Sequence, residues 1–216
     1  MKGKKDFIKK ERESRLIFFK KNIFLFLTFF SLLISEDSNK TSPIKKINQD
    51  SLDLAVKQLL EDIKKVPNFS LNSLEGDVYN IRSLEGKVVL LNFWATWCGP
   101  CRMEIPELNE MQEKYGEDNF IILGISTSDT KKALKNFTRL YEVGYPLLYG
   151  TPKEIDKILR EYGGIYSLPT SILINKKGEN IFSYPGAILK AYDRYDGVYS
   201  TLNKNIEKAL KENIEK

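Results

Sequence analysis

The most constraining feature of the chain is an apolar run that ends in a pair of cysteines. Val88-Val89-Leu90-Leu91-Asn92-Phe93 leads into Trp94-Ala95-Thr96-Trp97-Cys98-Gly99-Pro100-Cys101, and a helix-like pattern follows from Cys101. Such a run suits a strand buried on both faces of a sheet. The cysteines, the only two in the chain, therefore stand where a strand gives way to a helix N-terminus. First-turn N–H groups have no intrahelical partners and the helix dipole favours negative charge there, so the position favours a thiolate. Cys98, at the mouth of the helix, is expected to be the exposed nucleophile with a lowered pKa. Cys101, one turn in, is expected to be the partly buried resolving thiol, near enough to close a disulfide in one short loop. Gly99-Pro100 shapes the turn, and Pro100 gives up no helical hydrogen bond because its N–H would be an orphan in any case.

Two other uses of a Cys-x-x-Cys pair fit less well. Half of a tetrahedral zinc site needs two further ligands, and the chain has no other cysteine and no histidine. Two unrelated core cysteines would not need Trp-Cys-Gly-Pro-Cys directly after a strand. The sequence therefore favours redox chemistry with no metal and no prosthetic group.

Phe93-Trp94-Ala95-Thr96-Trp97-Cys98-Gly99-Pro100-Cys101 closely resembles the active-site motif of the thioredoxin superfamily. Its continuation, Arg102-Met103-Glu104-Ile105-Pro106-Glu107-Leu108, resembles the TlpA/ResA-like branch, bacterial membrane-anchored thiol–disulfide oxidoreductases facing the extracytoplasmic space. The resemblance covers about Phe69 to Ala187. It implies an α/β thioredoxin-like fold, a central mixed β-sheet with helices on both faces, preceded by a β-hairpin and carrying an αβ insertion.

Charge separates the chain into unlike parts. Of the net charge of +5, residues 1–21 hold nine Lys or Arg against three Asp or Glu, so the remainder is close to neutral. A nucleic-acid surface is therefore not expected on the body of the protein. Asn22 to Ser35 is almost uninterruptedly apolar. A basic tail before an apolar segment reads as a signal anchor or signal peptide, with the tail cytoplasmic and everything after Ser35 exported. Counted from Leu16, with Lys20 and Lys21 snorkelling, the segment reaches the 17–25 residues a span needs. No small-x-small cleavage site stands near Ser35, which favours an uncleaved anchor over a cleaved signal. The expected organisation is a tail over 1–21, the anchor or signal over 22–35, a linker and helix over 36–66, and the thioredoxin-like domain over 67–216.

Ser51 to Val66 shows helical spacing, with Leu52, Val56, Leu59, Leu60 and Ile63 on one face and Pro67 ending it. This helix either packs on the domain or acts as a spacer. Phe69–Leu71 and Val78–Ile81 read as a hairpin around Glu75-Gly76-Asp77. Lys87–Phe93 and Phe120–Ile125 read as buried strands, and Cys98–Tyr115 as a helix kinked at Pro106 and stopped by Gly116. A helix is expected over Thr130–Val143, with Ala133, Leu134, Phe137, Leu140 and Tyr141 facing the core. Tyr145–Tyr149 and Pro152–Tyr162 resemble the αβ unit that this branch inserts. Ser171–Ile174 and Asn180–Tyr184 form a hairpin around Lys176-Lys177-Gly178, and Thr201–Ile214 is a last helix. The tyrosine-rich piece between Gly186 and Ser200, with Tyr192, Tyr195 and Tyr199, matches nothing in the family and reads as loop or helical extension.

The resemblance also assigns roles. In Tyr166-Ser167-Leu168-Pro169-Thr170 it makes Pro169 a cis proline lying against the Cys-x-x-Cys, with the Leu168 backbone free to pair with an extended substrate beside Cys98. Gly99, Pro100 and Trp97 complete the substrate-binding surface, and Trp97 shields the site. Glu104, one helical turn after Cys101, takes the place of a functional glutamate of this branch; charge alone would favour an ordinary solvated glutamate. Thioredoxin itself has a buried aspartate where this chain has Asn92, which cannot titrate.

The activity implied is reduction of disulfides in exported proteins by the Cys98/Cys101 dithiol, with cytochrome c maturation as one family role, and re-reduction by a membrane thiol donor. The placement implied is a bacterial cell membrane with an extracytoplasmic, periplasmic domain. The competing readings are an extracytoplasmic disulfide oxidase and a non-redox peptide-binding module. Gly-Pro between the cysteines leans towards reductase, though environment can override the dipeptide. A peroxidase is disfavoured, because no peroxidatic motif is visible.

Overall fold

The computed structural model describes residues 49–212; the expected tail, anchor and linker before residue 49, and the end of the last helix at Ile214, lie outside the described residues. The fold belongs to the compact unit over residues 52–216. Among the described residues no helix is long and apolar enough to cross a membrane.

Seven strands form one mixed sheet in the order β2-β1-β5-β4-β3-β6-β7. They are β1 (Ser70–Ser73), β2 (Val78–Asn80), β3 (Val88–Trp94), β4 (Phe120–Ser126), β5 (Leu147–Tyr149), β6 (Thr170–Ile174) and β7 (Asn180–Pro185). The helices are α1 (Gln49–Lys64), α2 (Gly99–Tyr115), α3 (Lys131–Phe137), α4 (Pro152–Glu161), α5 (Asp193–Asp196) and α6 (Val198–Lys211). β3, β4 and β5 are parallel neighbours, whereas β6 adds antiparallel to β3 and β7 antiparallel to β6. The hairpin β1–β2 joins β5 antiparallel.

β3 shows why the apolar run had to be a central strand. Strand side chains alternate between faces. Val88, Leu90 and Trp94 enter the core on the side of α2, α3 and α6. Val89, Leu91 and Phe93 enter the core on the side of β1 and α4. Each is at most 3% exposed, and full burial of one such side chain contributes about 1.5–3 kcal/mol. Asn92 shares the α2 side with Leu90 and Trp94, so its amide is turned towards that helix.

Several boundaries differ from expectation for local reasons. α3 ends at Phe137, not Val143, and Leu140 is 82% exposed instead of facing the core. The Asn109 side chain donates to Glu142 O at 2.9 Å and accepts from Gly144 N at 2.8 Å, which pins this stretch outside a helix. Tyr141 still reaches Phe137, as a stacked pair at 4.3 Å. α2 runs through Pro106 and ends at Tyr115, but Gly116 continues as a 3-10 turn, and the left-handed residue is Asn119 at φ 64°. The tyrosine-rich piece is helical: a 3-10 turn over Lys190–Tyr192, then α5, then α6. Gly197 at φ 63° separates the last two, and Asp193 accepts from Ser200 N across the break. The apolar face of α1 is not packed on the domain; Leu52, Val56, Leu59, Leu60 and Ile63 are each at least 46% exposed. The chain joins the core just beyond it, where Val66 N donates to Gly178 O at 2.8 Å.

Candidate active site

Cys98 and Cys101 are joined as a disulfide, with Cα atoms 5.3 Å apart. Cys98 is the N-cap of α2, and its sulfur accepts from Cys101 N at 3.2 Å. The expected contrast in exposure is absent in this oxidised form: Cys98 is 4% exposed and Cys101 1%. What separates them is access. Cys98 opens onto a groove of about 410 Å³, and Cys101 does not line it.

The segment before the pair is held from β4. Asp129 accepts from Thr96 N at 2.8 Å and from Thr96 Oγ1 at 2.5 Å. It also accepts from Ser126 Oγ at 2.8 Å, while its own N–H donates to that hydroxyl at 3.1 Å. Ser128 Oγ accepts from Trp97 Nε1 at 3.0 Å. The hydroxyl-rich stretch Ser126-Thr127-Ser128-Asp129-Thr130 thus ties down both residues preceding Cys98. Trp94 belongs to the core: it is 3% exposed, with its ring 5.0 Å from that of Phe137. Gly124 makes room for it, since a Cβ there would lie 2.8 Å from Leu147 and 3.2 Å from the Trp94 indole nitrogen.

The Leu168–Pro169 peptide bond is cis, the isomer that the resemblance implies. Pro169 is buried, and Leu168 lines the groove beside Trp97, Gly99 and Pro100. Thr170 Oγ1 donates to Ser167 O at 2.8 Å and holds the turn.

Behind the pair lies Glu104, fully buried on α2. Asn92 Nδ2 donates to Glu104 Oε1 at 2.8 Å and to Ser171 Oγ at 3.1 Å. Ile188 N donates to Glu104 Oε2 at 2.8 Å. Burial favours the uncharged acid and pushes its pKa from 4.5 to about 7; the two donated hydrogen bonds pull the other way, and Glu107 adds to the rise. Buried Tyr145 is pushed above its ordinary 10 by desolvation and by the Glu104 charge. Glu104 is therefore not a solvated surface glutamate.

Sequence reasoning missed Ser128, Asp129, Ser171 and the Ile188 backbone, and the groove residues Thr127, Leu159, Ile165 and Tyr166. The Ser-Thr-Ser-Asp-Thr run at the end of a buried strand was the available signal for the first two. Ile188 gave none, because it acts through its backbone from a piece that matched nothing.

A disulfide at a helix N-terminus, a cis Leu168–Pro169 bond whose Leu168 lines the same groove as Cys98, and a mixed sheet between two layers of helices define a thioredoxin-like thiol–disulfide oxidoreductase. Residues 63–180 match the AhpC/TSA family, and the chain belongs to that family. It is 39% identical over 123 residues to the thiol-disulfide oxidoreductase ResA of Bacillus thuringiensis subsp. konkukian (strain 97-27), covering 57% of this chain and 69% of that one. It is 35% identical over 123 residues to the thioredoxin-like protein YneN of Bacillus subtilis (strain 168), covering 55% and 68%. Its fold is shared with a thiol:disulfide interchange protein of the thioredoxin family from Chlorobium tepidum TLS, with a TM-score of 0.56, 29% identity and coverage of 68% of this chain and 96% of that one.

Proposed function

We propose that this chain is a membrane-tethered reductase of disulfides in exported proteins, with Cys98 as nucleophile, Cys101 as resolving thiol and Glu104 as proton acceptor and donor. Residues 1–21 are its cytoplasmic tail, 22–35 its anchor, and 67–216 the catalytic domain on the outer side of the membrane. In the reduced form the Cys98 thiolate attacks one sulfur of a substrate disulfide. A mixed disulfide forms, and the other substrate sulfur leaves as a thiolate that takes a proton from solvent. Cys101 gives its proton to Glu104 and attacks the Cys98 sulfur; the second substrate sulfur leaves as a thiolate and takes the proton that Glu104 holds. The substrate gains two electrons and two protons, and Cys98–Cys101 is left as the disulfide. A dithiol donor at the membrane restores it by the reverse exchange. The setting we propose is cytochrome c maturation, one role of the TlpA/ResA-like branch that the motif resembles.

The observation that carries this reading is the Cys98–Cys101 pair at the N-terminus of α2, with Cys98 opening onto the groove and the buried Glu104 carboxyl one turn beyond Cys101. A general acid–base works best with a pKa near the working pH. The test is the reduction potential of the pair, by equilibrating the full chain with dithiothreitol or glutathione buffers. A value near roughly −270 mV supports a reductase, whereas one near roughly −120 mV makes the protein an oxidant.

A further inference from the structure

α1 carries an apolar face that the domain leaves uncovered: Leu52, Val56, Leu59, Leu60 and Ile63 are all exposed. Helices in proteins owe most of their stability to packing such a face against a partner. Positions 52, 56, 59 and 63 advance by four, three and four residues, the spacing of a heptad seam. With Leu52 and Leu59 at d, Val56 and Ile63 fall at a. β-branched residues at a with leucine at d favour two parallel strands. The next d position, Val66, is buried in the domain, so the seam ends where the chain enters the core.

The flanking positions agree with that register. In a parallel pair Ala55, at g, meets Leu60 of the second copy, at e, and the apolar seam widens. Asp53 and Asp62 then stand at its two ends. In an antiparallel pair Asp53 would face Leu60 of the second copy and Asp62 would face Ala55, which sets charge against apolar surface. The outer positions b, c and f are polar except for Leu54. α1 holds four acidic and two basic residues, so it lacks the basic polar face with which a helix lies on anionic lipid.

Resting on the membrane anchor of the proposed function, we propose that α1 pairs in parallel with α1 of a second copy of this chain. Two heptads are short for a coiled coil in free solution, where about three or four are usual. The anchor offsets this. The 13 residues 36–48 join Ser35 to Gln49 and reach at most about 47 Å even when fully extended. The helices of neighbouring copies are therefore confined to one thin layer and start from the same side of it. Confinement raises their effective concentration and imposes the parallel sense that the a and d residues favour. Two Cys98–Cys101 sites then travel as one membrane-bound unit.

The test is cross-linking of the full chain in liposomes. Single cysteines are placed along α1 in a Cys98→Ser, Cys101→Ser background, so that any disulfide formed on oxidation with copper phenanthroline joins two copies. Val56→Cys and Leu59→Cys are expected to cross-link about 5-fold or more faster than Leu54→Cys and Lys57→Cys, because a and d side chains meet across the seam while b and f face away. Leu54 is itself apolar and exposed, so a helix that is merely adhesive gives equal rates at 54 and 59. Adding Ile63→Asp to Leu59→Cys is expected to slow cross-linking by a similar factor and to leave the thermal unfolding of the domain unchanged, since that position is exposed. Equal rates at all four positions, or no effect of Ile63→Asp, in a chain that stays in the bilayer would overturn the inference and leave the proposed function standing. Release of the chain from the liposomes by alkaline carbonate would remove the anchor, and the inference with it.

Discussion

On its outward side the Cys98–Cys101 disulfide meets a groove without a charged residue, built from Trp97, Tyr166 and the end of α4. On the inward side, one turn along α2, stands a buried carboxyl with two hydrogen-bond donors aimed at its oxygens. The two sides answer different physical needs. The outer one offers apolar area and no charge at the sulfur that a substrate reaches. The inner one holds an ionisable group away from water, where burial outweighs the hydrogen bonds donated to it, so that its proton moves near pH 7 instead of near 4.5. The helix N-terminus between them serves both, because it favours whichever sulfur is the thiolate.

The comparison requires that the sulfurs act and do not merely mark a peptide site. Cys98→Ser is expected to abolish disulfide reduction, an effect of at least about 10³-fold because the nucleophile itself is gone. Cys101→Ser is expected to accumulate a mixed disulfide with substrate, visible as a mass increase by mass spectrometry. Full function in the double serine variant would leave only a binding module.

Glu104→Gln tests the inner side. Removing a general acid–base is expected to lower kcat/KM about 10²-fold and to erase the limb of its pH profile near pH 7. Stability gives an independent reading. The folded chain holds the Glu104 proton up to about pH 7, and the unfolded chain only to about 4.5. Between these values the folded state binds the extra proton, so stability falls as pH rises through the window. The loss amounts to roughly 3 kcal/mol. Denaturant unfolding of the wild type should therefore weaken from pH 5 to pH 8, and in Glu104→Gln that slope should vanish. An equal slope in both proteins would place the titration elsewhere.

The two sides were unequally legible in the sequence. Cys98, Cys101 and the strand–helix junction follow from short-range pattern: an apolar run, a Gly-Pro turn and a helical period; the part of Pro169 came only through the family resemblance. Glu104 was visible as a carboxylate one turn on, but its burial was not, since burial depends on Asn92 across the sheet and on Ile188 from distant chain. The groove was the least legible part. Tyr166 and Leu159 look like ordinary surface and helix residues until Gly163 and Gly164, both at positive φ, fold their loop over Cys98. The same limit explains α3: Leu140 has helical spacing, but Asn109 on α2 holds the following backbone out of the helix. Conversely, the stripe on α1 is real as a pattern yet packs on nothing among the described domain residues, because periodicity records a face and not its partner.

Asp129 and Ser128 tie the approach to Cys98 to the end of β4 and give the smaller effects. Asp129→Ala leaves Thr96 N and Ser126 Oγ without their acceptor and is expected to cost about 1–3 kcal/mol in unfolding free energy. It should also slow peptide reduction roughly 10-fold by loosening the approach to Cys98. Ser128→Ala removes a single bond, to the exposed Trp97 indole, with a net worth of about 0.5–1.5 kcal/mol. Stability should barely change, because water replaces the hydroxyl as acceptor. The expected loss is a few-fold rise in KM for a disulfide-linked peptide with kcat unaltered, since the ring is freed and the sulfurs are not. A fall in kcat would mean that Trp97 supports the chemistry itself, and the division between an outer side that meets the substrate and an inner side that moves protons would fail.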